Sequence, residues 1–312
     1  MARLLHSLLI AASIALAVSR YAHIHRAHLE EGHHVDGKHN VEFDHEAFLG
    51  KEEAKKLSDL TQEEAKEKLR DIVKKIDKDS DGFVTVEELS DWVNYVHDKF
   101  VWDDTKRRWA EYDGDGDGKL TWPEYLRRGY GSDPEEKLAE RPNYKVGLKY
   151  DKRRWEVADA NGDKVLVIEE YFTFVHPEET NETKHIYVEE IFETMDKDKD
   201  GFVSLEEYIE DLYPSDQREG NDEPDWVKAE RESFTESRDV NKNGKLDKEE
   251  LMEMLAPDNY NQGDAESRHL IFEADSDKDN KLSESEIIEK YDLFVGSQAT
   301  EFGEALTWRD EL

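Results

Sequence analysis

Six stretches of the chain repeat one arrangement of oxygen-bearing side chains, at three alternate positions and again at the twelfth. Four of them fit D-x-[DN]-x-[DN]-G-x5-E and begin at Asp77, Asp113, Asp196 and Asp239. "DANGDKVLVIEE" from Asp159 has Lys164 in place of the glycine, and "DSDKDNKLSESE" from Asp275 has Asn280 there. Hard cations such as Ca²⁺ take six to eight oxygen ligands, which this spacing can supply. We number the stretches loops 1 to 6 in chain order and their residues as positions one to twelve.

Each loop position has its own task in such a site. Positions one, three and five supply side-chain oxygens, the sixth allows a sharp bend, the seventh offers its backbone carbonyl, and a glutamate at position twelve supplies two oxygens. In loop 1, Thr85 at position nine is expected to act through a water molecule. The predicted metal ligands are Asp77, Asp79, Asp81, Phe83, Glu88; Asp113, Asp115, Asp117, Lys119, Glu124; Asp159, Asn161, Asp163, Glu170; Asp196, Asp198, Asp200, Phe202, Glu207; Asp239, Asn241, Asn243, Lys245, Glu250; and Asp275, Asp277, Asp279, Lys281, Glu286.

The residues that flank the loops have the period of amphipathic helices. Apolar residues recur at i, i+3, i+4 and i+7 before loop 1, after loop 1 and before loop 4. These sets are Leu69, Ile72, Val73, Ile76; Leu89, Trp92, Val93, Val96; and Val188, Ile191, Phe192, Met195. A twelve-residue calcium loop between two helices is an EF-hand, so the sequence predicts an all-α fold.

The spacing of the loops suggests how they group. Their first residues are 36, 46, 37, 43 and 36 residues apart, an alternation of short and long intervals. We therefore predict six EF-hands in three consecutive pairs. Position eight is always branched and apolar, which predicts two-residue β pairing between the loops of a pair. These residues are Val84, Leu120, Leu166, Val203, Leu246 and Leu282.

The predicted domain boundaries follow from this grouping. They are a signal peptide at 1–19, a His- and acid-rich arm at 20–62, EF-hand pairs at 63–130, 146–212 and 226–295, linkers at 131–145 and 213–225, and a C-terminal tail at 296–312. Proline, glycine and charged residues make the two linkers candidate hinges.

Loops 3 and 6 depart from the pattern at position six. Lys164 must adopt a positive φ there, which costs on the order of 1 kcal/mol for a non-glycine residue, and it adds a cation. Val167 also removes the polar side chain of position nine. We expect loop 3 to be a weak site that is kept mainly as a partner for loop 4. Asn280 tolerates the left-handed conformation, so we expect loop 6 to bind.

Composition restricts the function classes. The chain has 43 Lys plus Arg against 78 Asp plus Glu, a formal net charge of −35, which argues against nucleic acid and anionic membranes as partners. It has no cysteine, which excludes disulfides and thiol catalysis. No nucleophile elbow or zinc-ligand helix accompanies the carboxylates, so we predict that the protein is not an enzyme.

Both termini suggest a secretory route. An apolar run, Leu8–Val18, follows Arg3 and is too short to span a bilayer, so a cleaved signal is favoured over an uncleaved anchor. The last four residues, from Arg309 to Leu312, resemble the Lys- or His-Asp-Glu-Leu address of the endoplasmic reticulum. We expect a lumenal protein without membrane insertion after signal cleavage, with Golgi or secreted fractions as the alternative.

Two further features are candidates for modification or metal binding. Asn181-Glu182-Thr183 is an N-glycosylation sequon in a polar stretch between loops 3 and 4. Six histidines lie between His23 and His39; a pH-responsive arm is favoured over a zinc or copper site.

Several stretches outside the loops are specific enough to suggest a family. They are "FDHEAFLGKEEAKKL" ahead of loop 1, "HPEE" at His176, "NDEPDWVKAERESF" ahead of loop 5 and "KYDLFVGSQATEFGEAL" near the end. With these stretches the chain resembles the CREC family, the group of calumenin and the reticulocalbins, and its interior is closer to calumenin. Arg309 departs from the histidine of the family's HDEL and HDEF endings. The resemblance implies six EF-hands, low-affinity Ca²⁺ binding, a secretory-pathway location and lumenal or secretory client proteins, with chaperones or calcium channels and pumps among the partners.

The function predicted is a low-affinity calcium-binding protein of the endoplasmic reticulum lumen that couples Ca²⁺ binding to folding and to regulation or chaperoning of clients. Two alternatives are a calcium store buffer without specific clients and a calmodulin-like sensor. Sensors expose methionine-rich surfaces. After Met1, this chain has only Met195, Met252 and Met254.

Overall fold

The computed structural model describes residues 61–215, 223–257, 261–300 and 304–307, together with a small hairpin. The hairpin consists of strands β1 (His34–Val35) and β2 (Lys38–His39), which are antiparallel. The predicted signal peptide, most of the histidine-rich arm and the terminal Arg-Asp-Glu-Leu lie outside the described residues. In the described part of the chain, no helix combines the length and apolar character needed to cross a membrane.

The described chain is mostly helical, in agreement with the predicted all-α class. Its helices are α1 (Gln62–Ile76), α2 (Val86–Tyr112), α3 (Trp122–Gly129), α4 (Glu135–Ala139), α5 (Pro142–Ala158), α6 (Ile168–Val175), α7 (Lys184–Met195), α8 (Leu205–Leu212), α9 (Asp225–Ser233), α10 (Lys248–Leu255), α11 (Gln262–Ala274), α12 (Glu284–Glu289) and α13 (Tyr291–Val295). A π-helical turn (Phe234–Arg238) follows α9, and two 3₁₀ turns (Gln298–Thr300 and Glu304–Thr307) follow α13.

Most helices that leave a loop start at a capping box. Position nine is the N-cap, its side-chain oxygen accepts the backbone N–H of position twelve, and the glutamate at position twelve accepts the N–H of position nine. Thr121 and Glu124 form this box at α3, and Ser204 and Glu207 form it at α8. The glutamate that closes the predicted metal site therefore also fixes the first turn of the following helix.

Six two-residue strands join the loops two by two. They are β3 (Phe83–Val84), β4 (Leu120–Thr121), β5 (Val165–Leu166), β6 (Val203–Ser204), β7 (Lys245–Leu246) and β8 (Leu282–Ser283). The antiparallel pairs are β3 with β8, β4 with β5, and β6 with β7. The apolar residue at position eight lies opposite its counterpart in every pair and is almost fully buried, as predicted.

The partners of the loops differ from the prediction. Loop 1 pairs with loop 6, loop 2 with loop 3, and loop 4 with loop 5. The grouping predicted at 63–130, 146–212 and 226–295 is therefore not the grouping of the strand pairs, and the strand of loop 3 lies beside that of loop 2 and not that of loop 4.

Helix length explains the error for loops 1 and 2. A single helix of 27 residues, α2, connects them. A continuous helix does not turn the chain back, so the segment between loops 1 and 2 contains no reversal that could bring their strands together. The longer interval between loops 2 and 3 contains a reversal instead, with Gly131 at φ 97° directly after α3. A long interval thus favours pairing because it leaves room for the chain to turn back.

The predicted linker at 131–145 is a structured segment. It contains α4 and the start of α5, and Leu138 of α4 is completely buried. This segment packs into the core that loops 2 and 3 share, which corrects its interpretation as a hinge. Of the linker at 213–225, residues 216–222 lie outside the described part.

The described residues between 61 and 307 form two compact units, one from 102 to 257 and one from 61 to 101 with 261 to 307. The second unit has one core, built from the helices around loops 1 and 6. The first has two cores, one around loops 2 and 3 and the other around loops 4 and 5. The three apolar sets predicted to face a core are buried in these clusters.

Candidate calcium sites

All six loops have the same backbone hydrogen bonds. The N–H of position six donates to Oδ2 of the aspartate at position one, at 2.7–3.1 Å. The N–H of position seven donates to Oδ1 of the side chain at position five, at 2.8–3.0 Å. The N–H of position nine donates to Oε2 of the glutamate at position twelve, at 2.9–3.1 Å. The chain thus wraps each set of oxygens in the same way.

Four loops bring carboxylate oxygens close enough to share one ion. In loops 1 and 2, oxygens of the three aspartates at positions one, three and five lie within 4.8 Å of one another. In loop 4 the set is Asp196, Asp198 and Glu207, and in loop 6 it is Asp275, Asp277 and Glu286. Two oxygens on opposite sides of a Ca²⁺ ion are about 5 Å apart, because each Ca–O distance is roughly 2.4 Å. The donor chemistry and the spacing of these sets therefore fit Ca²⁺.

Loops 3 and 5 use amide oxygens at some of the same positions. In loop 5, Asn241 and Asn243 replace aspartates, and Oδ1 of each accepts a loop N–H as its aspartate counterparts do. In loop 3, the Asp163 N–H donates to Asn161 Oδ1 at 2.8 Å, and Asn161 Nδ2 donates to Glu170 Oε1 at 3.2 Å. The residues predicted as ligands therefore come together in these loops as well.

Lys164 adopts φ 68°, the left-handed conformation expected of position six. The loops also require a left-handed residue at position four, which the sequence analysis missed. Ser80, Lys199, Lys242 and Lys278 occupy it in loops 1, 4, 5 and 6. Loop 3 has Gly162 at position four and Lys164 at position six, so its glycine occupies position four and not position six. Its backbone is consequently no more strained than that of loops 1, 4 and 5.

Position nine distinguishes loop 3 from the others. In loops 1, 2, 4, 5 and 6 a hydroxyl or carboxylate at this position accepts the N–H of the closing glutamate. Val167 has no such group, and only its backbone N–H bonds to Glu170, at 3.1 Å. The weakness of this site stays a prediction, and it rests on Val167 and on the charge of Lys164.

The closing glutamates of loops 1, 2, 4 and 6 have lowered pKa values, which favours the charged form that a cation requires. Hydrogen bonds from Thr121 keep the pKa of Glu124 below its usual value. Burial raises the pKa of Glu88, but backbone and side-chain hydrogen bonds from Thr85 lower it further than burial raises it. These carboxylates are ready to accept a cation at neutral pH.

A buried ionic cluster near loops 2 to 5 is a feature that the sequence analysis did not identify. Arg154 of α5 donates its Nε to Glu190 of α7 at 2.7 Å, and the Glu190 side chain is 4% exposed. His176, in the "HPEE" stretch, lies 3.3 Å from Asp104 of α2, and both are buried. Oppositely charged residues at these positions give no periodic signal, so only the folded structure brings them together.

Asn181 lies exposed in the turn between α6 and α7, as a glycosylation site would require. The sequon's Thr183 is buried, and its hydroxyl donates to the Pro177 carbonyl at 2.8 Å. The sequon therefore combines an exposed asparagine with a threonine whose hydroxyl is already hydrogen-bonded within the turn.

Comparison with known families supports the EF-hand loops, and it groups loops 3 and 4, whose strands pair with loops 2 and 5 in the structure. A family model described as an EF-hand domain pair matches residues 149–213, and a family model described as an EF hand matches residues 69–93 and 239–255. These ranges contain loops 1, 3, 4 and 5, and loops 2 and 6 share the same hydrogen-bond pattern. The protein contains EF-hand domains, and Ca²⁺ is the ion that these domains bind.

Proposed function

We propose that this EF-hand calcium-binding protein is a low-affinity calcium binder of the endoplasmic reticulum lumen that couples Ca²⁺ binding to folding and to the regulation or chaperoning of client proteins. The observation that carries the proposal is the hydrogen-bond pattern common to the six loops, together with the carboxylate oxygens that lie within 4.8 Å of one another in loops 1, 2, 4 and 6. We take all six units to be EF-hands, paired as loops 1 with 6, 2 with 3, and 4 with 5.

The coupling to folding is supported by charge. The chain has a formal net charge of −35, and 27 of its 78 acidic residues lie in the six loops that also carry the strand pairs. Carboxylates at such distances repel one another without a cation, so ion binding and loop order are linked. Affinities near 10⁻⁴–10⁻³ M, typical of extracellular modules, suit a calcium-rich lumen.

The lumenal location and the client function rest on the sequence. The N-terminal apolar run, the terminal Arg-Asp-Glu-Leu and the resemblance to the CREC family all favour a resident of the secretory pathway. The clients we propose are lumenal or secretory proteins, and the protein itself is proposed to be without enzymatic activity. Neither nucleic acid nor the bilayer is a proposed partner.

A calmodulin-like sensor is less favoured because of where the methionines lie. Met195 is buried, and Met252 and Met254 pack against the core around loops 4 and 5. A sensor presents flexible methionines on an exposed groove. These three methionines are part of an ordinary core, so they form no exposed methionine-rich groove in the part of the chain that the structure describes.

The test is a calcium titration of residues 20–312 followed by far-UV circular dichroism. A gain of helix with a midpoint of roughly 10⁻⁴–10⁻³ M supports a lumenal protein that folds as the store fills. A transition that is complete below about 10⁻⁶ M, or no gain of helix, contradicts the coupling. A variant with Gln in place of the glutamates at position twelve of loops 1, 2, 4, 5 and 6 is the matched control.

A store buffer without clients is distinguished by capture from lumenal extracts. The proposed function predicts a defined set of proteins that the wild-type chain retains in one calcium range and that the control variant loses. A buffer retains the same proteins as the variant at every calcium concentration.

A further inference from the structure

Two lysines reach across strand pairs to a carboxylate of the neighbouring loop. Lys245, at position seven of loop 5, forms an ion pair with Oδ2 of Asp200, at position five of loop 4. Lys281, at position seven of loop 6, forms an ion pair with Oδ2 of Asp81, at position five of loop 1, at 3.2 Å. The same contact thus occurs in two loop pairs built from different parts of the chain.

Each lysine has a second contact that fixes its position. Lys245 Nζ lies 5.6 Å from the centre of the Phe202 ring, and Lys281 Nζ lies 5.4 Å from the centre of the Phe83 ring. Both phenylalanines occupy position seven of the loop that the lysine reaches. A cation within about 6 Å of a ring centre is attracted by the face of the ring. Carboxylate and ring together hold the ammonium group against the neighbouring loop.

The lysine uses the carboxylate oxygen that the loop backbone leaves free. Oδ1 of Asp81 accepts the N–H of Phe83, and Oδ1 of Asp200 accepts the N–H of Phe202, both at 2.9 Å. Oδ2 of each aspartate faces the lysine. Asp81 and Asp200 are predicted metal ligands, so a Ca²⁺ ion in either loop shares its ligand with a resident positive charge.

The pair formed by loops 2 and 3 provides a natural comparison. Position seven of loop 3 is Val165, a half-buried residue in the place that Lys245 and Lys281 occupy. Among the described residues, no lysine of loop 3 forms an ion pair with Asp117, at position five of loop 2. Loop 2 has the same backbone hydrogen bonds as loops 1 and 4, but it has no cation from its partner.

We infer that Lys245 and Lys281 are tethered cations that compete with Ca²⁺ for loops 4 and 1 and are released when those loops bind the ion. The inference rests on the calcium binding proposed above. It makes the affinities of loops 1 and 4 lower than that of loop 2. It also links the loops of a pair, because the backbone carbonyl of each lysine is itself a predicted ligand in its own loop.

The experiment compares the charge-removing variant Lys245→Gln with wild type in the full chain, by titration with CaCl₂ at low ionic strength. The amide resonances of Gly201 and Gly244 report loops 4 and 5 separately, because each N–H donates to the position-one aspartate of its own loop. Removing a charge that is paired with a predicted ligand of the ion should lower the half-saturation concentration at Gly201 by roughly three- to tenfold. The effect should shrink as salt is added.

Lys242→Gln is the matched control, since it removes the same charge from an exposed position of the same loop. It should change the half-saturation at Gly201 by less than about twofold, because an exposed charge without the ion pair is largely screened. The converse variant, Val165→Lys, installs a lysine opposite loop 2 and should raise the half-saturation concentration at Gly118 by roughly three- to tenfold.

Equal effects of Lys245→Gln and Lys242→Gln at Gly201 would overturn the inference, as would an unchanged Gly118 response in Val165→Lys. In both cases the wild-type glycine amides would still respond to Ca²⁺, so the proposed function would stand. If no glycine amide of the wild-type loops responded to millimolar CaCl₂, the proposed function and this inference would fail together.

Discussion

Val84 of loop 1 lies opposite Leu282 of loop 6 in an antiparallel strand pair, and both side chains are almost completely buried. The two ends of the described chain therefore build one core. Trp92 reinforces it, since its indole N–H donates to the Ala299 carbonyl at 2.8 Å. The hand around loop 1 therefore has its strand partner and its core partner near the C-terminal end of the described chain.

The first prediction concerns this dependence. Leu282→Ala removes a large buried side chain and should lower the free energy of unfolding of the unit that contains loops 1 and 6 by about 2–5 kcal/mol. The loss of stability should appear as faster amide hydrogen exchange in α1, the helix that precedes loop 1. Leu251→Ala, at a completely buried position of the core around loops 4 and 5, is the control. Equal protection of α1 in both variants would contradict the pairing of loop 1 with loop 6.

The second prediction concerns Lys164, which holds φ 68° at position six of loop 3. Lys164→Gly relieves the left-handed conformation and should stabilise the calcium-free protein by about 1 kcal/mol. It also removes a charge beside Asp159 and should tighten Ca²⁺ binding in loop 3, read from the amide of residue 164 during a titration.

Lys199→Gly is the control for the backbone effect, because Lys199 has φ 62° at position four of loop 4. It should give a similar gain of stability without changing the response of loop 3. Val167→Thr, which restores the N-cap hydroxyl, should tighten loop 3 independently of Lys164. If neither Lys164→Gly nor Val167→Thr changes the affinity of loop 3, that loop is not a weakened site.

The local structure of the loops could be predicted from sequence, because each loop position has a chemical requirement that limits the residue there. The ligands and the buried residue at position eight all come from such requirements. The left-handed residue at position four could not be predicted, because Ser80, Lys199 and Gly162 share no chemical property. Only the hydrogen bonds of the folded loop make that conformation necessary.

The partners of the loops could not be read from spacing alone. Intervals of 36 and 46 residues do not show whether the chain between two loops continues as one helix or reverses. In the structure, the chain between loops 1 and 2 continues as the single helix α2, whereas the chain between loops 2 and 3 reverses direction at Gly131. The ionic contacts between helices, such as Arg154 with Glu190, depend on that topology and were equally beyond a reading of the sequence.

The third prediction concerns pH and His176. Burial lowers the pKa of His176, but the carboxylates of Asp104 and Glu178 outweigh burial, so the pKa is raised in the folded protein. Asp104 also forms ion pairs with Arg107 and Arg108, which keep it charged. A raised pKa adds stability that is complete below the unfolded value of about 6.5 and is lost as pH rises through the folded value.

The free energy of unfolding at fixed Ca²⁺ should therefore fall between about pH 6 and the pKa of the folded state, and His176→Gln should remove that fall. The measurement is urea unfolding across the pH range. His185→Gln, at an exposed position of the same unit, should leave the slope as it is in the wild type. An unchanged slope in His176→Gln would mean that other groups produce the pH dependence.

The fourth prediction concerns the pair Arg154 and Glu190 between α5 and α7. Burial raises the pKa of Glu190, and the charge of Arg154 opposes this rise. Arg154→Met leaves a buried carboxylate without its partner and should lower the free energy of unfolding by about 3–5 kcal/mol. The double variant Arg154→Met with Glu190→Met removes both charges of this pair and should recover most of that loss, because Glu190 then leaves no buried carboxylate without its partner.

Lys152→Met is the control. Lys152 lies on the same helix as Arg154, its pair with Glu135 of α4 is more exposed, and its loss should cost less than about 1 kcal/mol. Urea unfolding of the four proteins at one calcium concentration gives the comparison; a double variant as unstable as Arg154→Met would show that the loss comes from packing of the arginine side chain and not from its charge.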